Sequence, residues 1–211
     1  MSSNVILIGL VGKSCAGKNE AGKILEKYGW KVIDADAISR SIFFQNEKEI
    51  HALFIAEANE RGVKIENEDG SLNKKSLSSF LFKHKMLLNR MEAFILPKIV
   101  EKIEEEIDYI TEHNLNPRIV LNAPTLHKTS LLKRCSYVIY VKSIFFIRLF
   151  RAFKRDGFSF VNIYRRFLNQ TDFLTQYISK QTDILPIANN FGLNKLEDAI
   201  KVALMSVGLW D

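Results

Sequence analysis

The sequence predicts an α/β fold, a parallel sheet with helices on both faces. Three observations carry that expectation. Val5–Val11 (VILIGLV) is a near-continuous apolar run, the pattern of a strand buried on both faces of a parallel sheet. A loop bounded by Gly12 and Gly17 follows it directly and leads into a helical stretch. Further short apolar runs then alternate with helical segments, and such alternation implies parallel strands joined through crossover helices.

Each element has a local reason. Val5–Val11 runs straight into a loop rich in lysine and glycine, so it reads as a buried strand and not as the centre of a targeting leader. Residues 21–28 continue as helix, with Gly29 as the stop. Lys31–Ile33 is a short strand ending in Asp34-Ala35-Asp36, and 37–44 reads as helix. From about 47 to 113 the chain is mostly helical, with a turn at Asp69-Gly70. Leu87, Met91, Phe94, Ile95, Ile99, Ile103, Ile107 and Ile110 recur there at three- and four-residue steps. That is the stripe of an amphipathic helix, which Pro97 kinks or divides. Residues 118–121 and 137–141 are strand-like. Residues 144–155 and 159–178 are helical on either side of Asp156-Gly157. A last strand at 183–188 is interrupted by Pro186, and 196–207 is a closing helix.

The chain has 211 residues and a formal net charge of +6. A basic balance suits polyanionic partners, whether nucleotides, nucleic acid or anionic membrane. No stretch approaches the ~20 apolar residues of a membrane span. The aromatic platforms and glycine signatures of common RNA modules are missing, so no nucleic-acid partner is expected. Cys15 and Cys135 cannot form a disulfide framework and have no metal-ligand spacing. They read as reduced thiols of a cytoplasmic protein. His51, His84, His113 and His127 are scattered and read as incidental, and Phe43 and Phe44 as core.

The chemistry concentrates in the loop Gly12-Lys13-Ser14-Cys15-Ala16-Gly17-Lys18-Asn19. It matches the phosphate-loop pattern G-x-x-x-x-G-K and departs from it at the final Ser/Thr. Glycines let successive N–H groups turn toward phosphate oxygens, and the following helix adds its positive end. Lys18 is spaced to reach the β- and γ-phosphates of a nucleotide. A hydroxyl at position 19 would hold Mg²⁺; an Asn oxygen is also a hard ligand, and equally Asn19 serves as a helix cap. Arg148, Arg151 and Arg155 fall at i, i+3 and i+7, on one helix face, with Lys154, Arg165 and Arg166 nearby. Guanidinium groups neutralise a migrating phosphoryl group well, and Gly157 is placed to hinge them.

Read in order, these pieces resemble the dephospho-coenzyme A kinases. Gly9 to Lys18 is similar to that family's opening, and Val32-Ile-Asp-Ala-Asp36 with Ile38-Ser-Arg40 to its signature after the second strand. Asp69-Gly-Ser-Leu72, 77–82 and Met91 to Pro97 resemble its helical insertion on the CoA side. Arg151 to Gly157, with Arg166 and Gln170, resembles its lid, and Ile187-Ala-Asn-Asn190-Phe-Gly192 its last strand and adenine-side loop.

The resemblance implies a P-loop kinase core at 1–45 and 117–211, an insertion at about 46–116 and a lid at about 148–170, in one domain. It implies phosphorylation of the ribose 3′-hydroxyl of dephospho-CoA with ATP and Mg²⁺, by a monomer or weak oligomer. Catalysis then falls to Asp36, Lys18, Arg151 and Arg155. Nucleotide binding falls to 12–19 and Asn190, and Asn19 is the metal ligand. Asp36 is the carboxylate that orients or deprotonates the hydroxyl, whereas Asp34 is structural. Leu96 stands where the family has His, Asn122-Ala-Pro124 where it has Asp-x-Pro, and Lys128 where it has an acid. A nucleoside or nucleoside monophosphate kinase, and a non-catalytic nucleotide-binding relative, are the alternatives.

Overall fold

Strand β1 (Ile6–Gly12) is the middle of a five-stranded sheet, and six of its seven residues are buried. In this computed structural model, residues 5–114, 117–156, 175–178 and 183–210 are described. The other elements are α1 (Lys18–Lys27), β2 (Lys31–Asp34), α2 (Ala35–Gln45), α3 (Glu47–Glu60), α4 (Lys74–Lys83) and α5 (Lys85–Glu112). They continue with β3 (Arg118–Asn122), β4 (Tyr137–Lys142), α6 (Phe145–Asp156), the one-turn α7 (Thr175–Ile178), β5 (Ile184–Ala188) and α8 (Leu193–Met205). Every pairing is parallel and the strand order is β2-β3-β1-β4-β5.

The apolar runs are continuous because both faces of the central strands are covered. Ile8, Leu10, Val120, Ile139 and Val141 pack with Leu25 of α1 and Leu196, Ile200 and Leu204 of α8. Contacts divide the chain into two compact units, residues 1–36 with 105–211, and residues 37–104. In the second unit Ile50 and Phe54 of α3, Leu77 and Phe80 of α4, and Ile95 and Ile99 of α5 are buried. Asn73 caps α4 by accepting the N–H of Ser76 at 2.9 Å. Arg90 ties α5 to α3 by donating to the Leu53 carbonyl at 3.0 Å.

Several expectations change. Pro97 neither ends nor restarts a helix, since α5 runs through it for 28 residues. Met91, Ile95, Ile99, Ile103 and Ile107 are buried on both sides of it, and that packing outweighs one lost backbone bond. Pro186 does not interrupt β5, because an edge strand has a row of N–H groups with no strand to meet. Phe44 is not core; it is 62% exposed. Helix α2 begins two residues earlier than expected, with Asp34 Oδ1 accepting the N–H of Asp36 at 2.9 Å. The expected helix at 159–178 lies outside the described residues except for α7.

A polar tie closes α8 on α1. The Tyr28 hydroxyl donates to Glu197, and Lys27 and Lys201 each reach Glu197 at 3.3 Å. Trp210 packs edge-on against Tyr28, with centroids 4.4 Å apart. These donors, the Tyr28 hydroxyl first, lower the Glu197 carboxyl from 4.5 to about 2. A carboxylate lowered in the folded state adds stability above its unfolded pKa and loses it as pH falls through the folded value. Stability of the parent over Glu197→Gln is therefore expected to be full above pH 4.5 and to fade toward pH 2. Urea titrations of both proteins at neutral and acidic pH measure it, and a gap that does not shrink on acidification contradicts it.

Candidate active site

The loop joining β1 to α1 sits at the carboxyl end of the central strand, where open α/β sheets place ligands. Gly12 permits the exit, since a Cβ there would lie 2.5 Å from the Val141 carbonyl oxygen of β4. The Ala16 N–H donates to the Lys13 carbonyl at 3.0 Å and closes a tight turn. Cys15 (φ 59°) and Gly17 (φ 100°) are left-handed, a conformation that gathers N–H groups into an anion-binding concavity. Gly17 is the N-cap of α1 and supplies no side-chain cap. The positive end of α1 is therefore presented to the loop. Residues 15–20 and Arg151 line a cavity of about 230 Å³.

The loop is held from behind by α6 and the end of β5. Buried Arg148 donates from Nε to the Ser14 carbonyl at 2.9 Å. Arg151 donates from Nη1 to the Ala16 carbonyl at 3.3 Å, and from Nη2 to the Asn189 carbonyl at 3.1 Å. Asn189, also buried, donates from Nδ2 to the Ala16 carbonyl at 2.9 Å. Cys15 packs beside Leu149 and Ala152. Lys18 extends along the loop and donates to the Gly12 carbonyl at 3.3 Å.

Asn19 in the first turn of α1 meets Asn122 at the end of β3. Asn122 Nδ2 donates to Asn19 Oδ1 at 3.3 Å. The other Asn122 atom, Oδ1, is buried and has no hydrogen-bond partner among the described residues. In register Asn122 stands between Leu10 of β1 and Asp34 of β2. Asp36 is exposed in the first turn of α2, just past the end of β2.

The structure thus gathers residues 12–19 with Arg151, and sets Asp34 and Asp36 at the same sheet edge. It places Asn190 differently, with Oδ1 accepting the Ile144 N–H at 3.0 Å. The Arg155 side chain, Gly157, Arg165, Arg166 and Gln170 lie outside the described residues. His127 is not incidental: its Nδ1 lies 3.3 Å from the buried Tyr177 hydroxyl, which donates to the Pro124 carbonyl at 2.9 Å. Burial pushes the Tyr177 hydroxyl up, and the Cys135 thiol up to about 12. Cys135 is accordingly a packing thiol. Among the described residues no cluster of three or more His, Cys, Asp or Glu could hold a metal ion, and no helix is long and apolar enough to cross a membrane.

Sequence reasoning missed Asn189 and the burial of Arg148. Arg148 and Arg151 at i, i+3 were the available signal, with Leu149 and Ala152 supplying an apolar strip beside them. Asn189 stood inside the 187–192 motif without a role, because its partners lie more than 30 residues away in sequence.

A family model described as dephospho-CoA kinase matches residues 6–190. The chain belongs to the dephospho-CoA kinase family. The dephospho-CoA kinase of Treponema denticola is 48% identical over 187 residues, covering 89% of this chain and 83% of that protein. That of Treponema pallidum is 39% identical over 184 residues, covering 87% and 86%. A crystal structure from Thermus thermophilus shares the fold with a TM-score of 0.77 at 23% identity, covering 97% of this chain and 98% of that one. A dephospho-CoA kinase from Campylobacter jejuni aligns with a TM-score of 0.59 at 20% identity, covering 97% and 96%.

Proposed function

We propose that this chain transfers the γ-phosphoryl group of ATP to the ribose 3′-hydroxyl of dephospho-CoA, giving CoA and ADP. The family match across residues 6–190 carries the reading, and the loop geometry supplies a cradle for the polyphosphate. The loop N–H groups and the α1 terminus bind the β- and γ-phosphates. Lys18 exchanges the Gly12 carbonyl for a phosphate oxygen. Arg151, at the cavity wall, and Arg155 offset charge on the migrating group. Asp36 accepts or orients the proton of the attacking hydroxyl.

A divalent cation fits this donor set sparingly. Asn19 Oδ1 is a hard neutral oxygen at the cavity, and the orphaned Asn122 Oδ1 is another beside it. Mg²⁺ binds nucleotide phosphates through few protein oxygens and keeps several waters. Asn19 would hold it, with Asn122 behind. When bound, the ion neutralises phosphate charge. Two amides supply none of the negative charge that a carboxylate would.

The helical unit 37–104 carries an apolar groove of about 480 Å³, lined by Phe43, Phe44, Leu77, Leu81, Phe82 and Met91. Lys74 and Arg40 stand among these residues, and the Lys74 ammonium lies 3.0 Å from the Phe44 ring centroid. We assign the groove to the pantetheine arm of the acceptor, whose amides suit Ser39 and Ser78.

The deciding experiment incubates purified protein with ATP, Mg²⁺ and dephospho-CoA and identifies CoA by mass. Folded protein that yields no CoA with several divalent metals and nucleotides removes the kinase reading. Asp36→Asn is expected to lower kcat by ~10²–10⁴-fold with unchanged ATP affinity. If Asp34→Asn costs more turnover, the two carboxylates have exchanged roles.

The amide pair makes a metal prediction. Asn19→Ser combined with Asn122→Asp restores a hydroxyl and a carboxylate, and should tighten metal binding to the ATP complex by about tenfold. Mn²⁺ binding followed by magnetic resonance, alongside Mg²⁺ titration of turnover, measures it. Equal affinity in parent and double variant leaves Asn19 as the hydrogen-bond partner of Asn122 only, with no part in holding the metal.

The groove predicts a split in Michaelis constants. Phe44→Ala and Phe82→Ala replace exposed rings and should raise the dephospho-CoA KM by about tenfold, with the ATP KM unchanged. An unchanged acceptor KM places the arm elsewhere.

A further inference from the structure

Two well-buried polar side chains hold the phosphate loop from its back. Asn189 is 4% exposed and Arg148 5%. Asn189 comes from the residue after β5 and Arg148 from the first turn of α6, and both donate to loop carbonyls. No step proposed for the reaction uses either one.

Peptide geometry shows what this contact does. A trans peptide places its C=O and the next residue's N–H on opposite sides of one rigid plane, and no cis bond occurs among the described residues. Fixing the Ala16 carbonyl on Asn189 and Arg151 therefore turns the Gly17 N–H the other way. Fixing the Ser14 carbonyl on Arg148 does the same for the Cys15 N–H. A donor on the carbonyl, and above all a guanidinium, also draws charge through the peptide and makes that N–H a stronger donor. Both peptides border residues whose left-handed backbone is the loop's defining feature: Cys15 at φ 59° and Gly17 at φ 100°. For Cys15, with a side chain, that conformation is unfavourable and persists where surroundings impose it. Asn189 also stands in the space beside Gly17, since a Cβ on Gly17 would lie 2.0 Å from Asn189 Nδ2.

We propose that Asn189 and Arg148 are positioning residues for phosphoryl transfer, acting on the polyphosphate of ATP through the Gly17 and Cys15 peptide N–H groups. The proposal rests on the kinase reading. Asn189 joins the end of β5 to the loop and Arg148 joins α6 to it. Arg151 links the two by donating to both Ala16 and Asn189.

The test measures binding of ATP, inorganic tripolyphosphate and dephospho-CoA by calorimetry, with the melting temperature of each unliganded protein. Asn189→Ala and Arg148→Met should each weaken ATP and tripolyphosphate by about tenfold, the worth of one polarised hydrogen bond. Dephospho-CoA should bind as to the parent. In turnover assays the ATP KM should rise and kcat fall, with the acceptor KM steady. Arg148→Lys keeps a cationic donor and should recover part of the loss. A fall in melting temperature with undiminished ATP and tripolyphosphate affinity overturns the proposal and leaves ordinary scaffold residues. A loss equal for all three ligands overturns it too. Should Asn189→Ala not fold, the Arg148 pair decides: equal affinities of the Met and Lys variants, at parental strength, reject it. A parent that binds no ATP rejects the kinase reading itself, whereas a parent that binds ATP beside unaffected variants rejects only this step.

Discussion

The loop between β1 and α1 depends on where one carbonyl oxygen, that of Ala16, is held. It receives an N–H from Asn189 at 2.9 Å and another from Arg151 at 3.3 Å. Those donors come from the end of β5 and from α6, so the contact joins three segments that are distant in sequence. The peptide that follows is rigid, and it leads directly into the N-cap of α1. Holding the carbonyl therefore fixes both the loop N–H groups and the origin of the helix whose positive end faces the loop. The same closeness explains why residue 17 is glycine. Its φ of 100° is unfavourable for any side chain, and Asn189 already fills the place a Cβ would take.

The fold was legible in the sequence wherever its cause was local. The run Val5–Val11 marked β1, and the i, i+3, i+4 stripe from Leu87 to Ile110 marked α5, because burial writes its period into the chain. What local pattern could not give was the outcome of competition between levels. Pro97 is a helix breaker by propensity, yet the buried residues flanking it carry α5 onward. Pro186 reads as an interruption until its strand proves to be an edge. Phe44 has the composition of a core residue and lies at the lip of a groove. The candidate site divides the same way. The tight turn at 12–19 was readable because its glycines and Lys18 form a local motif. Asn189 was not, since its meaning is a contact made 173 residues away. Arg148 was assigned to a basic face for its charge, although it is buried and donates to the Ser14 carbonyl.

The two amides beside the β1–α1 loop, Asn19 and Asn122, illustrate the same point from the opposite side. In sequence Asn19 and Asn122 are 103 residues apart. In space they are one pair. Asn122 Nδ2 donates to Asn19 Oδ1, so one amide supplies the N–H that the other's oxygen accepts. A carboxylate at 122 would have had no N–H to offer Asn19 Oδ1, and would have met a second acceptor there. A hydroxyl at 19 would have been shorter and would have left the Asn122 N–H to find another acceptor. Either substitution alone breaks the match, whereas both together keep one hydrogen bond and remove one negative charge. The cost that remains is visible: Asn122 Oδ1 is buried without a partner among the described residues, a state worth roughly 1–3 kcal/mol. A hydrogen-bond donor or a cation is the kind of group that would relieve it.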